Sequence, residues 1–179
     1  MKKLQVLFVC IGNACRSQIA EGFAKHLGGD IVEARSAGLM PLESVPAQTR
    51  KVMLEREMPI DDQFPKGVEV FRNTEFDLVI NMSGIMLPRG LKEKERRWTV
   101  ADPYGRSDGA FRQVRDELET LVGDLLRQVR EANGAVPAPA KPRRRLFGGF
   151  GADNCYSTKV VRWSSGRSRQ VWQVTSFGR

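Results

Sequence analysis

Apolar residues crowd the start of the chain. Residues 4–9 form an apolar run broken only by Gln5, as in a central parallel strand covered on both faces. Beyond residue 16 the apolar positions switch to helical spacing. Ile19, Ala20, Phe23, Ala24 and Leu27 share one face of a helix predicted over residues 17–27, and Gly28-Gly29 ends it. His26, the only histidine, falls in the last turn, where capping and solvent exposure account for it. Residues 31–36 read as a second strand, ending in Ser36-Ala37-Gly38. A helix is expected over residues 47–56, with Pro46 at its first position and Val52, Met53 and Leu54 facing inward. Residues 76–82 form a third strand. The mixed-charge run 92–97 reads as a solvated segment, after which a short strand ends at the Asp102-Pro103 step. Finally, Phe111, Val114, Leu118, Leu121, Val122, Leu125, Leu126 and Val129 recur along one stripe of a helix over residues 109–132. Strands alternating with helices imply an α/β domain with a four-stranded parallel sheet flanked by helices. Its site then belongs at the carboxyl ends of the strands.

The turn after the first strand, Cys10-Ile11-Gly12-Asn13-Ala14-Cys15-Arg16-Ser17, carries the chemistry. A cysteine and an arginine separated by five residues in a strand-to-helix turn make an anion-handling device. The N–H groups of Ile11 to Ser17 point inward, and the helix adds its positive end. Cys10 in that field reads as a thiolate nucleophile, and Arg16 offers two parallel donors to a bound oxyanion. Gly12 is expected to let the backbone turn, Asn13 to take the left-handed conformation, and Ser17 to cap the helix or reach the thiolate. On its own the cysteine is equally a small hydrophobe at the end of a buried strand.

Composition narrows the setting. Forty-one per cent hydrophobic and 28 per cent charged residues are ordinary for a globular domain, and 179 residues leave some excess beyond one core. Three cysteines fit a reducing compartment rather than a disulfide framework, so a cytoplasmic protein is expected. The apolar start is short and runs straight into the Cys10 turn, unlike a signal peptide, and no membrane segment is expected. The net charge of +8 is lopsided: residues 1–140 hold 20 basic and 20 acidic side chains, whereas residues 141–179 hold nine Lys and Arg against Asp153 alone. The expected division is therefore a catalytic domain over residues 1–134 and a Pro/Gly-containing basic tail over 135–179. The tail reads either as disordered or as a small β-hairpin, with strand-like alternation in 159–163 and 170–176. Its tryptophans and cations could engage nucleic acid or another anionic surface.

The stretch Val6-Leu7-Phe8-Val9-Cys10-Ile11-Gly12-Asn13-Ala14-Cys15-Arg16-Ser17-Gln18-Ile19-Ala20-Glu21 closely resembles the signature of the low-molecular-weight protein tyrosine phosphatase superfamily. That superfamily also contains the thioredoxin-coupled arsenate reductases, and the likeness extends in pieces to about residue 132. The resemblance implies that Asp102 is a general acid, that Tyr104 flanks the cleft, and that Ser36 supports Asn13. It also implies that Cys15 either pairs reversibly with Cys10 or simply fits the loop. Two features depart from the phosphatases: the loop over residues 40–46 offers Met40, Leu42 and Val45 but no aromatic, and Gly105 stands where a second aromatic often follows Tyr104. One departs from the reductases: Met82-Ser83-Gly84 replaces their two resolving cysteines, so the internal disulfide relay is absent.

The activity expected from these residues is cysteine-dependent hydrolysis of phosphotyrosine or small aryl phosphate esters through a cysteinyl-phosphate. The alternative is arsenate reduction with an external thiol, which Gln18, the Ala20-Glu21-Gly22 step and residues 46–57 favour. The loop itself supplies positive potential, and with one histidine neither a metal nor another cofactor is expected.

Overall fold

The computed structural model describes residues 2–134 and, beyond them, the short strands Val160–Val161 and Arg169–Gln170. Strand β1 (Leu4–Cys10) leads into helix α1 (Arg16–Gly28), then β2 (Val32–Gly38) and α2 (Ala47–Leu54). A 3-10 turn at Val68–Phe71 precedes β3 (Leu78–Asn81), and β4 (Glu95–Arg97) precedes the long α3 (Asp108–Ala132). The four strands form one parallel sheet in the order β2-β1-β3-β4. This is the α/β fold that the hydrophobic pattern implies.

Alternate side chains of β1 serve opposite faces of the sheet. Val6, Phe8 and Cys10 join the larger core with α1 and α3. Leu7 and Val9 join a smaller one with Ala37, Phe71, Phe76, Val79 and Leu87. Both faces are covered, which is why the strand reads as a continuous run rather than an alternation. Helix α3 buries Phe111, Val114, Leu118, Val122, Leu125, Leu126 and Val129, while Leu121 is only partly buried. Ser107 caps it, its Oγ accepting from the Ala110 N–H. Helices α1 and α3 pack so closely that a Cβ on Gly28 would fall 2.2 Å from Leu126 Cδ2. His26 is exposed and bonds through Nδ1 to the Gly22 carbonyl of its own helix.

Three local expectations are corrected. The fourth strand is not in residues 98–102 but in Glu95–Arg97, inside the charged run read as a solvated segment. As an edge strand it has β3 on one side only, so charged residues suit it. Glu95 is its inward anchor, accepting from Asn81 Nδ2 at 2.6 Å. Helix α2 takes Pro46 as its cap rather than its first helical residue and stops at Leu54, two residues early. Glu57 adopts φ +59°, and the Met58 N–H closes back on the Met53 carbonyl, a turn that ends the helix. Leu54 consequently points outward at 64% exposure, whereas Val52 and Met53 are fully buried.

Beyond residue 134, β5 (Val160–Val161) pairs antiparallel with β6 (Arg169–Gln170), Val160 opposite Gln170. The other expectations for the tail, and Cys155, lie outside the described residues. Among the described residues no helix is long and apolar enough to cross a membrane.

Candidate active site

The turn from β1 to α1 sits at the carboxyl end of the sheet, and its outer edge is tied to the segment after β2. The Leu39, Met40 and Leu42 N–H groups donate to the carbonyls of Cys10, Ile11 and Gly12 at 2.9–3.1 Å. With those carbonyls bound on the outside, the N–H groups of residues 11–17 remain without an acceptor among the described residues. Such a row of free N–H groups at a helix start is an anion cradle. Gly12 serves it differently than expected. Its φ is not positive, and a Cβ there would lie 3.0 Å from Leu42 Cγ, so glycine is needed for close approach rather than for the turn. The left-handed residue is Asn13, at φ +46°.

Asn13 is held by a buried hydrogen-bond network. Its Nδ2 donates to Ser17 Oγ and Ser36 Oγ, both at 2.8 Å. Its Oδ1 accepts from the Lys66 N–H at 2.8 Å and from Gln18 Nε2 at 3.2 Å. Gln18 Nε2 also donates to the carbonyls of Asn13 and Phe64. Ser36 in turn donates to Glu21, whose carboxylate is 2.8 Å from Lys25 Nζ. Ser17 Oγ, which accepts from Asn13, also lies 2.9 Å from Cys10 Sγ, a hydrogen bond it donates when Cys10 is a thiolate. Ser17 thus reaches the thiol and does not cap α1, which begins at Arg16 with no side-chain cap.

Cys10 itself is 2% exposed at the floor of the cradle. Arg16 is fixed by the segments that follow β3 and β4: one nitrogen donates to the carbonyls of Met82 and Val100, the other to Asp102. Its Nε is buried without a partner among the described residues, a donor left for an oxyanion. Asp102 also accepts from the Tyr104 N–H at 3.1 Å, so the Asp-Pro step wraps the carboxylate in its own turn. Above Cys10, a cavity of about 230 Å3 opens. Its floor is the loop, one wall is Met40 and Leu42, and the other is Asp102 and Tyr104. Cys15 lines it too, and burial pushes its thiol up to about 11, so it stays protonated at neutral pH.

All the residues singled out in the sequence converge here: Cys10, Ile11, Gly12, Ala14, Cys15, Arg16, Asp102 and Tyr104 line the cavity, while Asn13, Ser17 and Ser36 form the network behind it. Sequence reasoning passed over Gln18, Glu21 and Lys66 as parts of the site. The signal for two of them was present: Gln18 and Glu21 are polar residues three apart on a helix that buries them almost completely. The third, Lys66, lies in a loop that no periodicity announces. Burial lowers its ammonium pKa while neighbouring Glu21 works against that shift. Among the described residues no group of three or more His, Cys, Asp and Glu gathers to hold a metal ion.

Comparison with known proteins agrees with this geometry. The family model described as low molecular weight phosphotyrosine protein phosphatase matches residues 5–135. A glutaredoxin arsenate reductase of Synechocystis sp. is 36% identical over 135 residues, covering 72% of this chain and 99% of that protein. A solved structure of an arsenate reductase in its phosphate-binding state superposes with a TM-score of 0.66 at 35% identity, over 70% of this chain and 98% of the other. The YwlE arginine phosphatase of Geobacillus stearothermophilus superposes with a TM-score of 0.64 at 26% identity, over 73% and 95% of the two chains. A family model over most of the chain and a relative 36% identical across nearly its whole length have one meaning: the chain belongs to the low molecular weight phosphotyrosine protein phosphatase family.

Proposed function

We propose that the protein is an arsenate reductase that uses an external thiol. This departs from the phosphatase expected of the sequence. The observation that carries it is the cavity over the cradle: about 230 Å3, with aliphatic Met40 and Leu42 on one wall and a single aromatic, Tyr104, on the other. Among the lining residues no second aromatic accompanies Tyr104 to sandwich an aryl ring, whereas the cradle beneath asks only for a tetrahedral oxyanion. The likeness to proteins named arsenate reductases, at up to 36% identity, supports the same reading.

The chemistry follows from the residues. Cys10 thiolate attacks the arsenic of arsenate, a sulfur–arsenic bond forms, and one oxygen leaves as water after taking a proton from Asp102. Arg16 and the N–H groups of residues 11–17 hold the other three oxygens as charge moves. A bound oxyanion replaces Asp102 as the partner of Arg16 and frees the carboxyl for that proton transfer. A thiolate from outside then attacks Cys10 Sγ. A sulfur–sulfur bond forms, the sulfur–arsenic bond breaks, and its electron pair stays on arsenic, which leaves as arsenite. A second thiol clears the mixed disulfide and returns Cys10. The reductant is read as external because Met82 and Ser83 follow β3 and bring no thiol to the site, while the Cys15 thiol in the cavity is kept protonated by burial.

A second reading, hydrolysis of a small phosphate monoester through a cysteinyl-phosphate, is favoured by the same Asp102 at the cavity mouth and by those missing thiols. One assay separates the two. Arsenite formed from arsenate and glutathione, and phenol released from an aryl phosphate, are measured with the native protein and with Cys10→Ser. Arsenite production that needs added thiol and disappears in the variant is the expected result. Aryl phosphate turnover without arsenite would replace this reading with the phosphatase.

A further inference from the structure

Strand β3 ends at Asn81, and the next carbonyl, that of Met82, accepts from Arg16 at 2.8 Å. The second acceptor for the same nitrogen, the Val100 carbonyl, is farther away at 3.3 Å. Once a bound oxyanion has displaced Asp102, the guanidinium depends on these two carbonyls, and mostly on Met82. The sheet does not fix that carbonyl. The Met82 N–H makes a last bond to the Val9 carbonyl at 2.7 Å, but no backbone N–H among the described residues donates to the Met82 carbonyl. Its direction is set by the side chain before it. Asn81, 2% exposed, folds its Oδ1 over the turn, where it accepts from the Ser83 N–H at 2.8 Å and from Ser83 Oγ at 2.6 Å. That ring closes around the 82–83 peptide and fixes where its carbonyl points. The other end of the amide, Nδ2, donates to the Ile85 carbonyl at 2.8 Å and to Glu95 at 2.6 Å. Hydrogen bonds from Arg97 first, and from Asn81, hold the Glu95 carboxyl below its usual range. Glu95 is thus an anion that only accepts, and it disfavours the flipped amide, which would set Asn81 Oδ1 against a carboxylate.

We propose that Asn81, anchored by Glu95, is a positioning residue for Arg16: it aims the Met82 carbonyl so that the guanidinium faces the oxyanion. The inference rests on Arg16 as the oxyanion holder in the reading above, and it extends the site to the edge strand β4. Neither Asn81 nor Glu95 lines the cavity, so each acts on the oxyanion only through Arg16. The side chain of Asn81 is buried, and its partners come from three places: the turn at Ser83, the Ile85 carbonyl and the edge strand. Removing it releases the 82–83 peptide, and the Met82 carbonyl is then free to turn away from Arg16. A guanidinium held at one end by a wandering acceptor presents its donors to the oxyanion in many directions rather than one.

The test titrates inorganic phosphate into the full-length protein by calorimetry and follows the Arg16 Nε–H by NMR. That N–H is buried without a partner among the described residues, so its signal reports where the guanidinium points. In Asn81→Ala, phosphate affinity should fall about tenfold and the Arg16 signal should move. Asn81→Asp sets two carboxylates face to face and should bind phosphate no better than Asn81→Ala. Adding Glu95→Gln to Asn81→Asp restores a donor–acceptor pair with its direction reversed, and should recover most of the affinity. Glu55→Gln, which loosens a tie between α2 and α3, should move neither readout, which separates positioning from a general loss of stability. Native affinity and an unmoved Arg16 signal in Asn81→Ala, or a double variant no better than Asn81→Asp alone, overturn the proposal. If Asn81→Ala does not fold, Glu95→Ala, which leaves the Ser83 bonds in place, decides: affinity about threefold weaker upholds the role and native affinity overturns it. Phosphate binding that follows the expected pattern in a protein that reduces no arsenate upholds the role of Asn81 and sinks the reductase reading instead.

Discussion

Behind Cys10, the side chains of Asn13, Ser17, Gln18 and Ser36 are fully buried and Glu21 nearly so, yet almost every polar atom among them is bonded. On the outer faces of α2 and α3 a second polar cluster joins Glu55, Arg56, Arg112, Arg115 and Asp116 by at least as many contacts. There only Arg115 is buried. The two clusters look alike as contact lists and differ in what losing a contact does. A buried donor left alone cannot turn to water and costs about 1–3 kcal/mol, whereas an exposed ion pair is worth about 0–1. The first cluster therefore sets geometry, keeping one loop in one conformation around one thiol. The second adds a modest tie between two helices.

Breaking the buried cluster at its centre should have the largest effect. Asn13→Ala removes four hydrogen bonds and forces an alanine into a positive φ, together about 3 kcal/mol, or roughly a hundredfold in kcat/KM. Steady-state kinetics on a variant shown to be folded would measure it, and Asn13→Gly, which relieves the φ strain, should recover only part. Next comes Ser36→Ala, which strands one Asn13 proton and leaves one oxygen of the buried Glu21 carboxylate without its donor. It should lower stability by about 1–3 kcal/mol in denaturant unfolding. A loss as small as that of an exposed pair would erase the distinction between the clusters.

The smallest effect belongs to Glu55→Gln, and its pH dependence sharpens the contrast. Hydrogen bonds from Arg112 foremost, and from Arg115, pull the Glu55 carboxyl down to about 2 against an ordinary value of about 4.3. A carboxyl depressed in the folded state adds stability above its unfolded value and loses it as pH falls through the folded one. The difference in Tm between the native protein and Glu55→Gln should thus be constant near neutrality, shrink below about pH 4 and vanish near pH 2. A gap that persists in acid would show that Glu55 acts through packing rather than charge.

How far the sequence foretold this site depends on which kind of signal each residue carried. Cys10, Arg16 and Ser17 were readable because strand, turn and helix starts are local patterns, and the cradle is made by a local turn. The sheet was readable from β1, whose burial on both faces leaves an unbroken apolar run. Strand β4 was misplaced because an edge strand of three residues, Glu95–Arg97, owes its pairing to β3 and not to its own composition. Leu54 was assigned inward because periodicity continues past the point where Glu57 turns the chain. Lys66 was invisible because only its backbone N–H meets Asn13, a contact that no side-chain identity encodes.

The account stands on Cys10 exchanging an arsenic adduct for a disulfide with an external thiol. Mass spectrometry of the peptide carrying Cys10, after a single-turnover incubation of the protein with arsenate and one equivalent of glutathione, reads that step directly. One glutathionyl group on Cys10, formed with arsenate and missing without it, is the predicted result. An unmodified Cys10 under conditions where arsenate has bound would contradict it.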